Sequence, residues 1–267
     1  MTQEKYQYSA VKEKELIKRA NQIANQHKFD SLLDIFKIDL QDLHIVEKFF
    51  ITTCVLCIHK NGYLKIENID CDEGKSYIGG LVELNDKFKN KVIENLTSVE
   101  FLSIYPSLIL NHKEEICNIE GFKSVYEDIF NSYRELSIED KKQDHAQEAK
   151  KYMNMVFGML GSSCPDSYFK SKINLSSITL KAKMILKSLI SKFEGHWVYA
   201  DTDSIYFARY EEIEFRLEEE LNKIMDRYNY LKADVEIHGY GIFIAKKKFL
   251  LVERDCSRKV KGLRIVS

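Results

Sequence analysis

The chain has 267 residues, enough for one large domain or two smaller ones with a substantial apolar interior. Its 45% hydrophobic and 30% charged residues exclude wholesale disorder, and apolar segments such as 49–58 are too short or too interrupted to cross a bilayer. With 40 basic against 41 acidic residues the formal charge is −1, so any grip on nucleic acid has to come from a local concentration of Lys and Arg.

In chain order, residues 12–27 and 29–36 have helical patterns, and the first 30 residues are charged, without the continuous apolar region of a signal peptide. Residues 47–67, rich in β-branched and aromatic side chains, predict two strands around the turn His59-Lys60-Asn61-Gly62. Cysteines stand at 54, 57, 71, 117, 164 and 256; Cys54 and Cys57 have no second CxxC pair, so thiols rather than structural zinc are expected. Gly74, Gly79 and Gly80 punctuate the approach to an extended Leu81-Val82, and residues 91–102 lead to Glu100. Pro106 marks the passage into a helix. Residues 124–136 predict a helix with Val125, Ile129 and Phe130 at helical spacing and Arg134 near its end. A second helix over 147–160 places Lys150 and Asn154 at i,i+4 on one face, where a lysine can meet phosphate charge. After a break at Cys164-Pro165-Asp166 comes a long helix over 173–190. Residues 211–228 read as an amphipathic helix with a solvated acidic face, and 235–237, 241–245 and 249–252 as strands.

Between the last two helices lies Trp197-Val198-Tyr199-Ala200-Asp201-Thr202-Asp203-Ser204-Ile205-Tyr206-Phe207. The flanking apolar runs predict a hairpin with Asp201-Thr202-Asp203 at its tight turn. A hairpin tip can aim both acids at one pocket, an arrangement suited to a hard divalent cation that takes oxygen ligands and keeps positions free for phosphate. Taken alone, short acidic turns are more often solvated than metal-binding.

Other segments extend the pattern. The hairpin resembles the YGDTDS motif of the family B DNA-directed DNA polymerases. Glu100-Phe101-Leu102-Ser103-Ile104-Tyr105-Pro106-Ser107-Leu108 resembles the family's first palm motif, DxxSLYPS, with Glu100 in place of Asp. Lys150-Lys151-Tyr152-Met153-Asn154-Met155-Val156-Phe157-Gly158-Met159-Leu160-Gly161 resembles the fingers motif KxxxNSxYGxxG, with Met155 for Ser and Phe157 for Tyr. Tyr77-Ile78-Gly79-Gly80 is similar to the YxGG segment before the palm, and Lys246-Lys247-Lys248-Phe249 to KKxY. The resemblance spans roughly residues 75–264 and leaves residues 1–74 without a motif.

The resemblance implies an α+β fold: an antiparallel polymerase palm sheet with packed helices and a short helical fingers insertion. It implies an N-terminal α/β segment of unassigned role over 1–74, palm over 75–110, fingers over 111–172, and the rest of the palm over 173–267. The implied activity is template-directed DNA synthesis, nucleotidyl transfer from deoxynucleoside triphosphates to a primer 3′-hydroxyl. The alternative is a weak or inactive polymerase-like DNA-binding or replication-accessory subunit. Two Mg2+ ions, replaceable by Mn2+, are implied on Glu100, Asp201, Asp203 and the Phe101 carbonyl, with the three acids catalytic. Arg134 and Lys150 are implied to bind the triphosphate, Asn154, Ser103 and Ile104 to shape the nucleotide pocket, and Tyr105 to lie beneath the sugar. Gly79, Gly80, Lys246, Lys247 and Lys261 are implied to touch primer-template DNA, with Lys261-Gly262 at the thumb boundary.

Three expectations follow. A chain matching only palm and fingers lacks the proofreading exonuclease and thumb, so a separate thumb or processivity subunit is an expected partner. No membrane partner is expected, and the location is intracellular, at the site of DNA replication in nucleus or cytoplasm. A viral or mobile genome is the expected source.

Overall fold

The computed structural model describes residues 9–68, 79–162, 168–171 and 173–263. Tyr77-Ile78, the 164–166 break and Arg264 lie outside them. Helices α1 (Ala10–Gln26) and α2 (Ile45–Asn61) come first, with a 3-10 turn at Leu32–Lys37 between them. Strands β1 (Val82–Leu84), β2 (Val92–Glu94) and β3 (Thr97–Leu102) follow, then helices α3 (Ile104–Leu110), α4 (Phe122–Glu135), α5 (Asp144–Ser162) and α6 (Leu175–Lys192). The hairpin β4 (Trp197–Asp201) and β5 (Ser204–Phe207) leads to α7 (Glu214–Arg227). Strands β6 (Lys232–Ile237), β7 (Tyr240–Ala245), β8 (Lys248–Val252) and β9 (Arg258–Lys261) close the sequence of elements.

The chain forms two compact units, each built from two stretches of sequence: Met1–Tyr77 with His112–Ser176, and Ile78–Asn111 with Ser177–Ser267. Among the described residues of the first unit the regular elements are helices, joined by loops with one isolated β-bridge between Ile66 and Ile119. Here the two strands expected over 47–67 are overturned, because α2 runs through most of that segment. The apolar run is helical and enclosed nearly all round, with Phe49 to Cys57 buried, so it carries no polar face to reveal a period of 3.6. Its ends are marked: His44 and Glu47 form a reciprocal cap, and Gly62 terminates the helix at φ +78. Phe49 packs on Tyr152 and Phe169, and Phe50 on Tyr168.

The second unit holds two antiparallel sheets, one of five strands in the order β1-β4-β5-β3-β6 and one of four in the order β2-β7-β8-β9. A core of Tyr199, Tyr206, Phe243, Phe249, Leu96 and Leu251 joins residues of both sheets, its four rings 5.2–6.0 Å apart between centroids. One polar chain also spans the sheets: His238, buried beyond β6, lies 2.8 Å from Ser98 Oγ of β3 and 2.7 Å from Glu253 Oε2 just past β8. Pro106 sits in the first turn of α3, where its missing N–H leaves no helical bond unmade.

Candidate active site: an acidic cleft rimmed by lysines

The hairpin expected from sequence is present. Asp201 pairs with Ser204, leaving Thr202-Asp203 as a two-residue turn, and Thr202 adopts φ +62. That conformation is unfavourable for a β-branched residue and is held by hydrogen bonds: its N–H donates to the Leu81 carbonyl at 2.7 Å and its Oγ1 to Asp201 at 3.1 Å. β3 runs beside β5 with Glu100 opposite Ser204, and the Phe101 N–H donates to the Asp203 carbonyl at 2.8 Å. The turn is thereby pinned next to Glu100. Glu100, Asp201, Asp203, Tyr206, Lys247, Phe249, Lys259 and Lys261 line one cleft of about 400 Å3.

The two aspartates have opposite surroundings. Burial pushes the Asp203 carboxyl up and the Glu100 charge adds to it, so Asp203 lies above the usual carboxylate range. Burial also opposes ionisation of Asp201, but hydrogen bonds and charge from Lys247 and Lys261 outweigh it, and Asp201 lies below that range. Lys247 Nζ bonds Asp201 Oδ1, and Lys261 Nζ reaches Oδ2 at 3.0 Å. The Tyr199 hydroxyl donates to Asp201 at 3.2 Å and accepts the Lys247 N–H at 3.0 Å; burial pushes this phenol up to about 12.

Lys246 and Lys247 occupy the turn from β7 to β8, with Lys247 at φ +61. A Cβ on Gly262 would stand 2.3 Å from the Lys247 carbonyl oxygen, so only glycine lets the end of β9 close on that turn and carry Lys261 to Asp201. Gly80 is also confined: its Cβ would meet Thr202 Cγ2 and Oγ1 and the Tyr105 hydroxyl, each at 3.1 Å. Gly79 is exposed, Tyr105 half-buried and Ile104 buried; Ser103, at φ +52 before α3, is exposed.

In the helical unit, Lys150 and Asn154 share an exposed face of α5. Arg134 is half-buried near the end of α4, its guanidinium 5.0 Å from the Phe130 ring centre, and burial holds it below its usual value. Sequence reading did not single out Lys259 or Phe249 for the cleft; β9 becomes a strand only by pairing with β8, which its charged sequence does not announce.

Glu100 and Asp203 suit a divalent cation, because two carboxylates that repel each other in a partly buried cleft are relieved by positive charge. Asp201 already has two ammonium partners, and among the described residues no cluster of three or more His, Cys, Asp and Glu side chains is arranged to hold a metal.

No family model matches the chain. It is 27% identical over 242 residues to a DNA polymerase of Pyrococcus glycovorans, covering 72% of this chain and 30% of that protein. A DNA polymerase of Methanocaldococcus jannaschii is 30% identical over 166 residues, 57% of this chain and 10% of that one. The structure of the family B DNA polymerase of Pyrobaculum calidifontis superposes with a TM-score of 0.52 over 82% of this chain and 33% of that chain, at 15% identity. The chain is similar to the archaeal family B DNA polymerases. It spans about a third or less of the length of these relatives. The family B likeness covers the α+β fold with antiparallel sheets, and such polymerases generally use divalent metals. No helix among the described residues is long and apolar enough to cross a membrane.

Proposed function

We propose that this chain carries the palm and fingers of a template-directed DNA polymerase. The observation that carries the reading is the Glu100–Asp203 pair: two carboxylates on neighbouring elements, mutually repelling, in a cleft rimmed by Lys247, Lys259 and Lys261. In this reading Glu100, Asp203 and the Phe101 backbone carbonyl hold Mg2+ or Mn2+, with Asp201 shaping the local field through its lysines. A divalent ion held there would supply positive charge to activate a primer 3′-hydroxyl and to neutralise the phosphates during nucleotidyl transfer. Lys150 and Arg134 bind the triphosphate and Asn154 the nucleotide. Ser103 and Ile104 shape its pocket at the start of α3, and Tyr105 discriminates against a 2′-hydroxyl. Gly79, Gly80, Lys246, Lys247 and Lys261 meet primer-template DNA.

A second reading, a weak or inactive DNA-binding accessory subunit, is favoured by Glu100 itself. Its extra methylene relative to Asp displaces the carboxylate by about 1 Å, and misplacement on that scale can lower rates roughly 100-fold.

Extension of a labelled primer-template with all four deoxynucleotides separates the two. Template-dependent extension lost in Asp203→Ala supports the polymerase, and a gain in Glu100→Asp assigns the weakness to carboxylate placement. DNA binding without extension, in the native chain and in Glu100→Asp alike, selects the accessory reading.

A further inference from the structure

The N-terminal stretch carries no motif, yet its described part, residues 9–68, belongs to the same compact unit as the helix bearing Lys150 and Asn154. On α5 those two side chains are exposed, while Tyr152 between them is buried. The Tyr152 ring stacks on Phe49 of α2 at 4.9 Å between centroids and meets Phe36 at a steep angle at 5.3 Å. Its hydroxyl lies 2.7 Å from Thr53 Oγ1. Thr53 donates its one hydroxyl proton to the Phe49 carbonyl at 2.9 Å, so the Tyr152 hydroxyl is the donor in the pair. Burial pushes the Tyr152 phenol well above its ordinary value, which keeps that proton in place.

Two ring contacts restrain the rotation of α5 about its axis. A short, directional hydrogen bond adds a fixed position along it, and it does so within two residues of both Lys150 and Asn154. We infer that the N-terminal helices are the seat of the nucleotide-facing helix, with Thr53 and Tyr152 as positioning residues that set where Lys150 and Asn154 meet the triphosphate. This inference rests on the nucleotide role proposed for α5.

The hydroxyl is separable from the packing. Tyr152→Phe keeps the ring and leaves Thr53 its bond to Phe49, so no donor is stranded. Thr53→Val keeps the shape but leaves the Tyr152 hydroxyl buried without this acceptor, while Thr53→Ser preserves the bond. The test is primer extension by the whole chain over a range of deoxynucleotide concentrations, with equilibrium dialysis of a labelled deoxynucleoside triphosphate and Mg2+ alongside. Tyr152→Phe and Thr53→Val should each raise the nucleotide KM and Kd, with roughly 5-fold as the ceiling reached if the whole free energy of one neutral hydrogen bond goes into positioning, at unchanged kcat and primer-template affinity. Thr53→Ser should match the parent, and the double variant should lose no more than one single variant, since both remove the same bond.

Parent-like KM and Kd in both single variants would overturn the inference and leave the polymerase reading standing. Additive losses, with kcat falling in step, would overturn it by making the pair ordinary packing. A parent chain that neither extends a primer nor retains the triphosphate would remove the nucleotide role of α5, and the inference with it.

Discussion

Asp201 and Asp203 are two residues apart and face opposite ways electrostatically. Asp201 is 5% exposed and held by two lysines whose side chains are each 49% exposed. Removing one lysine leaves the other, whereas removing both leaves a buried carboxylate without a cation, a change worth about 3–5 kcal/mol. The double variant Lys247→Met/Lys261→Met should therefore lose more stability in urea unfolding than the two single variants added together. Asp203 should behave in the reverse sense. Its carboxylate is disfavoured by burial and by Glu100, so Asp203→Asn should abolish extension while stabilising the metal-free protein by about 1 kcal/mol. Mg2+ should then narrow the gap in thermal midpoint, because it stabilises only the chain that still binds it.

At the scale of elements, the β4–β5 hairpin was legible because two short apolar runs, each continuous rather than alternating, flank a polar two-residue turn. Among the described residues every α-helix but α2 meets a helical expectation, α3 at the passage marked by Pro106, and α2 is instructive. Thr52, Thr53, Val55 and the paired phenylalanines read as strand, and burial on all sides erased the periodicity that would have corrected the reading. His44, Glu47 and Gly62 were the signals available, all at the helix ends. Lysine capture of Asp201 was beyond sequence for a different reason: Lys261 is 60 residues away and reaches the cleft only through the pairing of β9 with β8. The enclosure of α2 has a chemical consequence. Cys54 and Cys57 are buried, and burial pushes the Cys57 thiol up to about 12. A pulse of iodoacetamide at neutral pH should modify exposed Cys256 and spare Cys54, Cys57 and Cys117 until denaturant is added, as read by peptide mass spectrometry.

For the whole molecule, a formal charge of −1 means that the proposed grip on DNA has to come from local patches rather than from the net field. Arg258 and Lys259 of β9 are exposed in the same four-stranded sheet whose β7–β8 turn carries Lys246 and Lys247. If these residues neutralise phosphates, duplex affinity falls with salt, and Arg258→Gln/Lys259→Gln should flatten the log–log slope by about 2. Fluorescence anisotropy of a labelled duplex over a salt series measures it; an unchanged slope would place the DNA elsewhere.

The two units are threaded through one another in sequence, and this sets a timetable for synthesis. Val82 of β1 pairs with Asp201 of β4, so the first strand of the five-stranded sheet leaves the ribosome long before its neighbour exists. At about 5–20 residues per second the wait is roughly 6–24 s. During that interval the helical unit can complete itself, since its second stretch ends at Ser176, while β1 and β3 remain unmatched edges. Until β5 and β6 emerge, the strand that bears Glu100 is thus an open edge, and the newborn chain has to shield it for longer than its apolar α2, which soon finds α4 and α5.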